Sequence, residues 1–547
     1  MNTPYDVVAY PNLCHKQTHP DRIAVMGELF GLAPASPEQC RMLELGCGDG
    51  TNLLPLAYAF PGSRFVGVDL APTLIAAGRN VIADLGLKNL ELLCLDVADY
   101  PAIGEPFDYV VAHGVYSWVP PEVRESLLAI CRGRLAPQGI AYVSYNCLPG
   151  GHIRRMVREI MRFHVRSESD PLERVRQAVA VTRFIADSMD QPDAYRQVFK
   201  EQLEQIQRYG AGHLFHDDLA EINDPVYFHE FMTQAARHDL QYLAEAEFYE
   251  MQEDAFSSDA RQRLGGIKAS RLTFEQYLDF IKCRRFRQTL LCRGQAQVCS
   301  PPASTVVERF HISSQAAAKA RANGLANGPI ESFVAPGGGA LQLDDAVGKA
   351  ALRVLSQRWP ATVPFNELFQ LAAQAAPPPE GALAARKDLA AILLEAYRAG
   401  LVDFRKLPVR CATRPPERPK LWAFARRQIQ WRDSVTTLRG DNLRIGDDAG
   451  KRLLELLKCG QGVLGVAASV VLRVLGIGAE RAAAPWERLP RCYHRVRCGS
   501  LLHPIHDGAQ HIEAIERRTA AAVRHSRHQE QSAPFVHFVR AAVGRAQ

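Results

Sequence analysis

Short apolar runs alternate with helical patterns between residues 41 and 146 of this 547-residue chain. Five of these runs predict strands, at residues 42–45, 64–69, 90–95, 107–112 and 139–145. Strands separated by helices pair in parallel, so this order predicts an α/β fold with a doubly wound, mostly parallel sheet and helices on both faces. Residues before 41 are expected to form helices that pack on this sheet, one of them beginning near Pro20 with the Thr18-His19 segment as its cap.

Helical periodicity dominates the next part of the chain. Apolar residues recur three or four positions apart from Gly151 to about residue 210. Residues 212–300 are expected to add helices, one of them capped by Asp224 with Pro225 in its first turn, and a strand-like stretch at Leu240.

A glycine-rich stretch at residues 335–340 predicts a flexible break. Three amphipathic patterns follow, at residues 345–358, 364–375 and 386–399, and then a short strand. This order predicts a small winged-helix-like domain. Its helices are not notably basic, so DNA binding is the less favoured interpretation.

The last ninety or so residues differ from the rest. The leucine periodicity of residues 451–457 ends abruptly, and the composition then shifts to Arg, His, Ala and Val with few acids. We interpret this tail as the product of a reading-frame change and expect partial disorder. Cys492, Cys498 and the histidines after them suggest a zinc cluster, but the spacing is wider than in zinc ribbons and fingers, so no metal site is predicted.

The residues best suited to bind a ligand lie where the first predicted strand ends. Gly46, Gly48 and Gly50 alternate with Cys47 and other residues in a loop that leads into a helix, and glycines let a ligand approach bare backbone. Glu44 precedes the loop, and the second strand ends in Asp69-Leu70. A carboxylate at this spacing is typical of a site that binds the ribose of a nucleotide-like cofactor.

The cofactor is predicted from the acids around the loop. The third strand ends near another carboxylate, Asp96, which is followed by Val97. The spacing G-x-G-x-G departs from the dinucleotide fingerprint, and clustered acids would repel a pyrophosphate. A ligand with an ammonium, a sulfonium, a ribose and an adenine suits them, which favours S-adenosylmethionine over the alternative, NAD.

These motifs resemble those of class I S-adenosylmethionine-dependent methyltransferases. The resemblance implies a Rossmann-like sheet and assigns Glu44, Gly46, Cys47, Gly48 and Gly50 to the methionine side of the cofactor. It assigns Asp69 and Leu70 to the ribose. It assigns Asp96 and Val97 to the adenine, with His113 nearby.

A closer resemblance is to bacterial methyltransferases that carry a methyltransferase regulatory domain. It rests on residues 17–24, 107–120, 139–150, 221–228 and 285–293. That group includes protein-lysine methyltransferases acting on outer-membrane proteins. The resemblance therefore implies a protein substrate, with an outer-membrane or surface protein before its export as one candidate.

Four domains follow from these patterns. They are a cofactor-binding methyltransferase domain at 1–165, a largely helical regulatory domain at 166–330, the winged-helix-like domain at 341–457 and the atypical tail at 458–547. Residues 212–300 are expected to control access to the site, with Asn223, Asp224, Pro225 and Tyr227 contacting the catalytic domain.

The candidate catalytic residues are His113, Tyr116, Tyr145 and Asn146, on loops at the carboxyl ends of strands. A lysine acceptor must lose a proton before attack. His113 is the candidate base, and Tyr116, Trp118 and Tyr145 are candidate aromatic walls. Alternatively, His113 bonds the loop backbone, and Tyr145 and Asn146 shape the pocket without chemistry.

Composition agrees with a cytoplasmic enzyme. The formal net charge is +6, which does not require nucleic acid as a partner, and none is expected. The thirteen cysteines are scattered, and we expect Cys47, Cys94 and Cys131 to be buried, reduced thiols. The N-terminus does not resemble a signal peptide, and residues 462–477 are too short to span a bilayer. A small-molecule methyltransferase and a non-catalytic cofactor-binding scaffold remain alternative functions.

Overall fold

The computed structural model describes residues 12–188, 193–253, 256–267, 270–319, 330–378, 381–409, 411, 422–430 and 434–445. The predicted tail at 458–547 and its suggested zinc cluster lie outside these residues. Within them, no helix combines the length and apolar character needed to cross a membrane.

A seven-stranded sheet with the order β3-β2-β1-β4-β5-β7-β6 forms the centre of the structure. Its strands are β1 (Arg41–Leu45), β2 (Arg64–Asp69), β3 (Leu90–Cys94), β4 (Phe107–Ala112), β5 (Leu135–Asn146), β6 (Leu240–Glu245) and β7 (Phe286–Arg293). The first five are mutually parallel, as predicted. Strand order reverses between β1 and β4, so the loops after these two strands flank the crevice where ligands bind in doubly wound sheets.

Helices cover both faces of the sheet and continue beyond it. The first ten are α1 (Pro20–Leu29), α2 (Leu54–Ala59), α3 (Pro72–Leu85), α4 (Pro121–Arg134), α5 (Gly151–His164), α6 (Pro171–Ala186), α7 (Ala194–His213), α8 (Phe228–Arg237), α9 (Ser258–Gly265) and α10 (Arg271–Lys282). The helix predicted near Pro20 is present, and its N-cap lies within the predicted cap segment: His19 Nδ1 accepts a hydrogen bond from the Asp21 amide.

The sheet continues beyond the boundary predicted at residue 165. Strand β7 pairs antiparallel with β5, and β6 pairs antiparallel with β7. The stretch predicted to be strand-like at Leu240 is therefore the outermost strand of the catalytic sheet. Because both pairings are antiparallel, β6 runs in the same direction as β5. The carboxyl ends of β5 and β6 and the start of β7 therefore lie at the same edge of the sheet. A domain boundary inside this sheet would separate hydrogen-bonded strands.

The Asn223–Tyr227 segment contacts the catalytic loops. Asn223 Oδ1 accepts a hydrogen bond from Asn146 Nδ2 at 2.8 Å, and the Asp224 carboxylate accepts one from Arg124 Nη1 at 2.8 Å. The capping role predicted for Asp224 is wrong. Helix α8 begins at Phe228 with Tyr227 as its N-cap, because the carboxylate of Asp224 is engaged by Arg124 and Pro225 lies outside the helix.

The C-terminal unit contains the three predicted amphipathic helices. Its helices are α11 (Ala346–Arg358), α12 (Phe365–Ala375), α13 (Ala382–Arg398) and α14 (Ala423–Gln428). Its strands are β8 (His311–Ser313), β9 (Ala317–Ala318), β10 (Glu331–Val334), β11 (Ala340–Leu343), β12 (Val363–Pro364), β13 (Asp403–Arg405), β14 (Ser434–Thr436) and β15 (Asn442–Arg444). The winged-helix likeness stays a prediction.

The glycine-rich stretch at 335–340 is a tight turn between β10 and β11, which corrects the prediction of a flexible break. The Ala335 amide donates to the Gly339 carbonyl, and Gly338 has φ +88°. A Cβ on Gly339 would lie 2.1 Å from the Ala399 carbonyl oxygen, so the turn packs against the end of α13.

A buried arginine joins the last two strands to α10. Arg287 on β7 pairs with Glu245 on β6 at 2.5 Å, and with Glu275 at 3.1 Å and Asp279 at 2.9 Å on α10. Its guanidinium lies 3.9 Å from the centre of the Phe228 ring. Burial raises the pKa values of Glu275 and Asp279, and the nearby arginines act in the opposite direction. Glu275 and Asp279 therefore depend on Arg287 as the positively charged partner of their buried carboxylates.

We expect Arg287→Met to destabilise the protein by about 3–5 kcal/mol, the usual cost of leaving buried charges without their partner. The matched control is Arg64→Met, which breaks an ion pair whose arginine side chain is 57% exposed. It should cost at most about 1 kcal/mol. Urea unfolding followed by circular dichroism measures both. Equal midpoints for the two variants would show that the network does not hold the sheet together.

Candidate active site

The loop after β1 turns sharply through three glycines. Gly46, Gly48 and Gly50 have φ values of +75°, +57° and +76°, in the left-handed region that favours glycine. A Cβ on Gly46 would lie 2.3 Å from a methyl group of Val115, in the loop after β4. The loops after β1 and β4 therefore touch here, and Val115 leaves no room for a side chain at position 46.

Asp69 braces this glycine loop at the end of β2. Its carboxylate accepts hydrogen bonds from the Gly48 amide at 2.7 Å and the Ala71 amide at 2.9 Å. Burial raises the pKa of Asp69, and these two amides act in the opposite direction. The carboxylate is thus held at the crevice, where a ribose would meet it.

The remaining residues predicted to touch the cofactor vary in exposure. Asp96 accepts a hydrogen bond from the Ala98 amide at 2.8 Å and caps a short helical turn, with Val97 buried beside it. Leu70 is largely exposed. Cys47 is buried, and burial raises the pKa of its thiol. Cys131 is buried as predicted, whereas Cys94, at the end of the thinly covered strand β3, is exposed.

Glu44 carries a buried carboxylate with an unused oxygen. Its Oε1 accepts a hydrogen bond from Asn52 Nδ2 at 2.9 Å, while Oε2 is buried without a hydrogen-bond partner. Burial raises the pKa of Glu44 to about 8. A cation beside Oε2 would supply the missing donor and favour the ionised carboxylate. The residues present therefore fit the ammonium group of S-adenosylmethionine.

The segment at residues 12–19, which we call the N-terminal strap, lies over this loop. The His15 amide donates to Asn52 Oδ1 at 2.9 Å, and Asn52 Nδ2 also donates to Thr18 Oγ1 at 2.8 Å. The C-terminal unit holds the strap in place, because Asn442 accepts from the Cys14 amide at 3.1 Å and donates to its carbonyl at 2.6 Å. No local sequence pattern predicts this strap, because Cys14 and Asn442 are 428 residues apart.

His113 lies between the strap and the last strands of the sheet. Its ring stacks on His15 with centroids 3.8 Å apart, and its Nδ1 lies 2.9 Å from the Tyr142 hydroxyl. The Phe286 ring also contacts it, in an edge-to-face arrangement with 6.1 Å between centroids. Burial, and secondly the neighbouring His15, lower the pKa of His113 well below its usual value, so the imidazole is neutral at neutral pH.

Tyr116 and Tyr145, two of the predicted catalytic residues, have side chains that lie in the core. Both are fully buried in the core on one face of the sheet, and the Tyr145 ring stacks on Phe231 at 4.2 Å. The Tyr116 hydroxyl bonds Gln234, and the Tyr145 hydroxyl lies 3.1 Å from Thr289 Oγ1. Their side chains turn inward, because α8 covers that face; it belongs to residues 212–300, which we call the regulatory segment.

The other two loop residues differ from each other. Asn146 is buried, and it bonds Asn223 through its side chain and the Ser117 hydroxyl through its amide. It therefore fastens the loop, which supports the alternative role as a shaping residue. Trp118 is half-buried, and its Nε1 has no hydrogen-bond partner.

The structure adds residues that the sequence analysis missed at the edge beyond β5. Glu245 ends β6, Glu247, Tyr249 and Glu250 follow it, and Phe286 begins β7. The sequence contains a sign of this cluster, since residues 245–250, directly after the strand-like stretch at Leu240, include three glutamates and two aromatic residues. Among the described residues, no group of His, Cys, Asp and Glu side chains is arranged to hold a metal ion.

We expect the binding of S-adenosylhomocysteine near pH 7 to release a proton from Glu44, because a cation at Oε2 lowers a pKa that burial has raised to about 8. Affinity should therefore increase as pH rises from 6 towards 8. Calorimetry in buffers of different ionisation enthalpy measures the proton. Glu44→Gln should abolish its release and Glu91→Gln, an exposed control, should not. Release that persists in Glu44→Gln would exclude Glu44 as its source.

We expect Asn442→Ala to weaken the binding of S-adenosylhomocysteine several-fold, because the lost bonds to Cys14 hold the strap over the glycine loop. One hydrogen bond contributes roughly 0.5–1.5 kcal/mol. Arg444→Ala, at an exposed position of the same strand, is the matched control. If both variants bind like the unmodified protein, the strap does not contribute to cofactor affinity.

Comparison with known proteins agrees with this geometry. Residues 42–139 match the family model of a methyltransferase domain, and residues 211–293 match that of a predicted methyltransferase regulatory domain. The uncharacterized protein RP028 of Rickettsia prowazekii is 38% identical over 240 residues, which are 44% of this chain and 96% of that protein. RP789 of the same organism is 36% identical over 312 residues, 57% of this chain and 56% of that protein.

A solved structure resembles nearly the whole chain. PKMT2 from Rickettsia typhi, in complex with S-adenosylhomocysteine, is 26% identical with a TM-score of 0.74, and the match covers 95% of this chain and 98% of that one. The glycine loop, the braced Asp69 and the orphaned Glu44 oxygen lie within the matched methyltransferase domain. The chain belongs to the class I S-adenosylmethionine-dependent methyltransferases that carry a methyltransferase regulatory domain.

Proposed function

We propose that this protein transfers a methyl group from S-adenosylmethionine to a lysine side chain of another protein. The observation that carries the proposal is the likeness to PKMT2, whose name abbreviates protein-lysine methyltransferase, along 95% of the chain. The likeness includes the regulatory segment and the C-terminal unit, and a small-molecule acceptor would need less accessory structure. A protein of the outer membrane or cell surface, methylated in the cytoplasm before export, is the first class of acceptor to test.

The proposed cofactor contacts follow the crevice. Glu44 and the loop of Gly46, Cys47, Gly48 and Gly50 hold the methionine moiety. Asp69 and Leu70 hold the ribose, Asp96 and Val97 the adenine, and His113 lies beside the reacting end. Bound there, the cofactor supplies a methyl group already activated by its positive sulfur.

The protein's own task is to position the acceptor and exclude water. Lysine attacks as the neutral amine, so its proton must leave first. His113 is neutral and stacked between His15 and the sheet, and the lowered pKa makes it a weak base. We propose that His113 positions the amine, and that the lysine gives its proton to solvent before the amine reaches the cofactor.

We expect label from S-adenosylmethionine to appear on protein lysine when the enzyme is incubated with a bacterial lysate. Mass spectrometry would find a gain of about 14 Da per methyl group on lysine-containing peptides. Heat-treated enzyme is the control. Label confined to small molecules would reject the protein acceptor, and no transfer to any fraction would favour a cofactor-binding scaffold.

We expect the rate to increase with pH as the bound lysine loses its proton, because the neutral amine is the nucleophile. His113→Asn should lower the rate by a similar factor at every pH from 7 to 10, since the pKa of His113 lies below this range. Initial rates on one labelled acceptor measure this. A loss that is large at pH 7 and disappears at pH 10 would show that His113 is a general base.

A further inference from the structure

A cavity of about 160 Å³ opens at the edge of the sheet beyond β5. Its lining comes from the end of β6 and the turn after it, and from the start of β7: Glu245, Glu247, Tyr249, Glu250, Arg284, Phe286 and Gln288. All of these residues belong to the regulatory segment. None of them contributes to the glycine loop that the cofactor requires.

Phe286 connects this cavity to the cofactor crevice. Its side chain lines the cavity, and its ring contacts the His113 ring with centroids 6.1 Å apart. His113 also contacts the ring of His15 in the N-terminal strap, and the His15 amide donates to Asn52 beside Glu44. The cavity and the crevice thus flank the same neutral histidine.

Three carboxylates face one arginine in the cavity wall, and each carboxylate has a basic partner. Glu245 pairs with Arg287 at 2.5 Å, Glu247 with Arg22 at 3.2 Å and Glu250 with Arg284 at 3.5 Å. Arg22 also pairs with Asp403 at 2.8 Å, so it is shared between two acids. An ionised carboxylate has about four acceptor positions. Glu245 also accepts from the Gln288 amide and the Thr289 hydroxyl, so Glu247 and Glu250 offer most of the capacity for a further donor.

Two buried polar atoms of the wall have neither a hydrogen-bond nor an ion-pair partner, whereas a third atom without a hydrogen bond, Arg284 Nε, lies 3.2 Å from Asp279 Oδ1. The two unpaired atoms are Oε1 of Gln288, an acceptor, and Nη1 of Arg284, a donor on a side chain that is only 6% exposed. Buried polar groups are usually paired, and an unmet one costs about 1–3 kcal/mol. Both atoms indicate a ligand that offers a donor and an acceptor.

We propose that this cavity binds the side chain of the acceptor lysine on its way to the cofactor. Its ammonium donates to Gln288 Oε1 and to the glutamates, between the aromatic rings of Tyr249 and Phe286. Arg284 Nη1 donates to a carbonyl oxygen of the acceptor backbone. The inference rests on the proposed function, and it adds that the regulatory segment supplies the acceptor subsite.

Binding of n-butylammonium to the full-length protein saturated with S-adenosylhomocysteine tests this subsite. Saturation-transfer NMR gives its dissociation constant, and 1-butanol is the uncharged control. We expect Glu250→Gln to raise the dissociation constant for n-butylammonium about fivefold or more, as when one charge-assisted hydrogen bond is lost. Its side chain is 39% exposed and its ion pair is long, so the fold should tolerate the change.

Two further variants make the test decisive. Glu91→Gln, which alters an exposed pair at the far edge of the sheet, should leave binding unchanged. Tyr249→Ala, at a half-exposed position, should weaken binding and replaces Glu250→Gln if that variant does not fold. Equal affinity in Glu250→Gln and Glu91→Gln, or equal binding of 1-butanol, would overturn the proposal.

Labelling of protein lysine distinguishes a failure of the proposed subsite from a failure of the proposed function. If lysine is methylated and Glu250→Gln raises KM for the acceptor more than it lowers kcat, both stand. If lysine is methylated with unchanged KM in Glu250→Gln, the subsite is wrong and the function stands. If n-butylammonium binds as expected but no protein lysine is labelled, the proposed function fails and the cation site remains.

Discussion

The ion-pair network around Arg287 is the interaction on which the catalytic architecture depends. A guanidinium that is fully buried on β7 holds Glu245 on β6 and two acids on α10, and Glu245 in turn accepts from Thr289 at 3.0 Å. Buried ion pairs add little net stability, but breaking one leaves charges unpaired and is costly. The network therefore specifies one arrangement of the regulatory segment against β5. The positions of Phe286 and of the acidic turn after β6 follow from it.

This arrangement gives the two halves of the site different origins. The parallel strands provide the glycine loop, Glu44 and Asp69, which suit the cofactor. The antiparallel strands of the regulatory segment provide the cavity that Phe286 links to His113. The strap adds a third contribution, because Asn442 of the C-terminal unit holds Cys14 over the glycine loop. Segments far apart in sequence thus meet around one neutral imidazole.

Much of the fold could be predicted because its signals are local. The five parallel strands, the helix at Pro20 and the three amphipathic helices each show their periodicity within a short window. Strand β7 could not be recognised so easily, since Arg287 is buried there only because its acidic partners come from two other elements. The inward orientation of Tyr116 and Tyr145 likewise depends on helices more than eighty residues further along the chain.

The candidate site was predictable where backbone geometry dictates residue type. Three glycines with positive φ and a carboxylate at the end of β2 carry a signal in the sequence itself. The neutral state of His113 has no such signal in the sequence. It comes from burial beside His15, which lies 98 positions earlier in the chain. Glu44 was found as an acid near the loop, but its orphaned oxygen is visible only in the structure.

The regulatory segment is part of the catalytic sheet, because β6 and β7 extend the sheet from β5. Hydrogen exchange on the full-length protein can show whether these strands open together. The amides of Leu290 and Leu291 on β7, whose residues pair with Tyr142 and Ala141 on β5, should be protected as strongly as those of β5. The two strands should also lose protection together as urea increases. Exchange of the β7 amides at low urea, while β5 stays protected, would contradict the account.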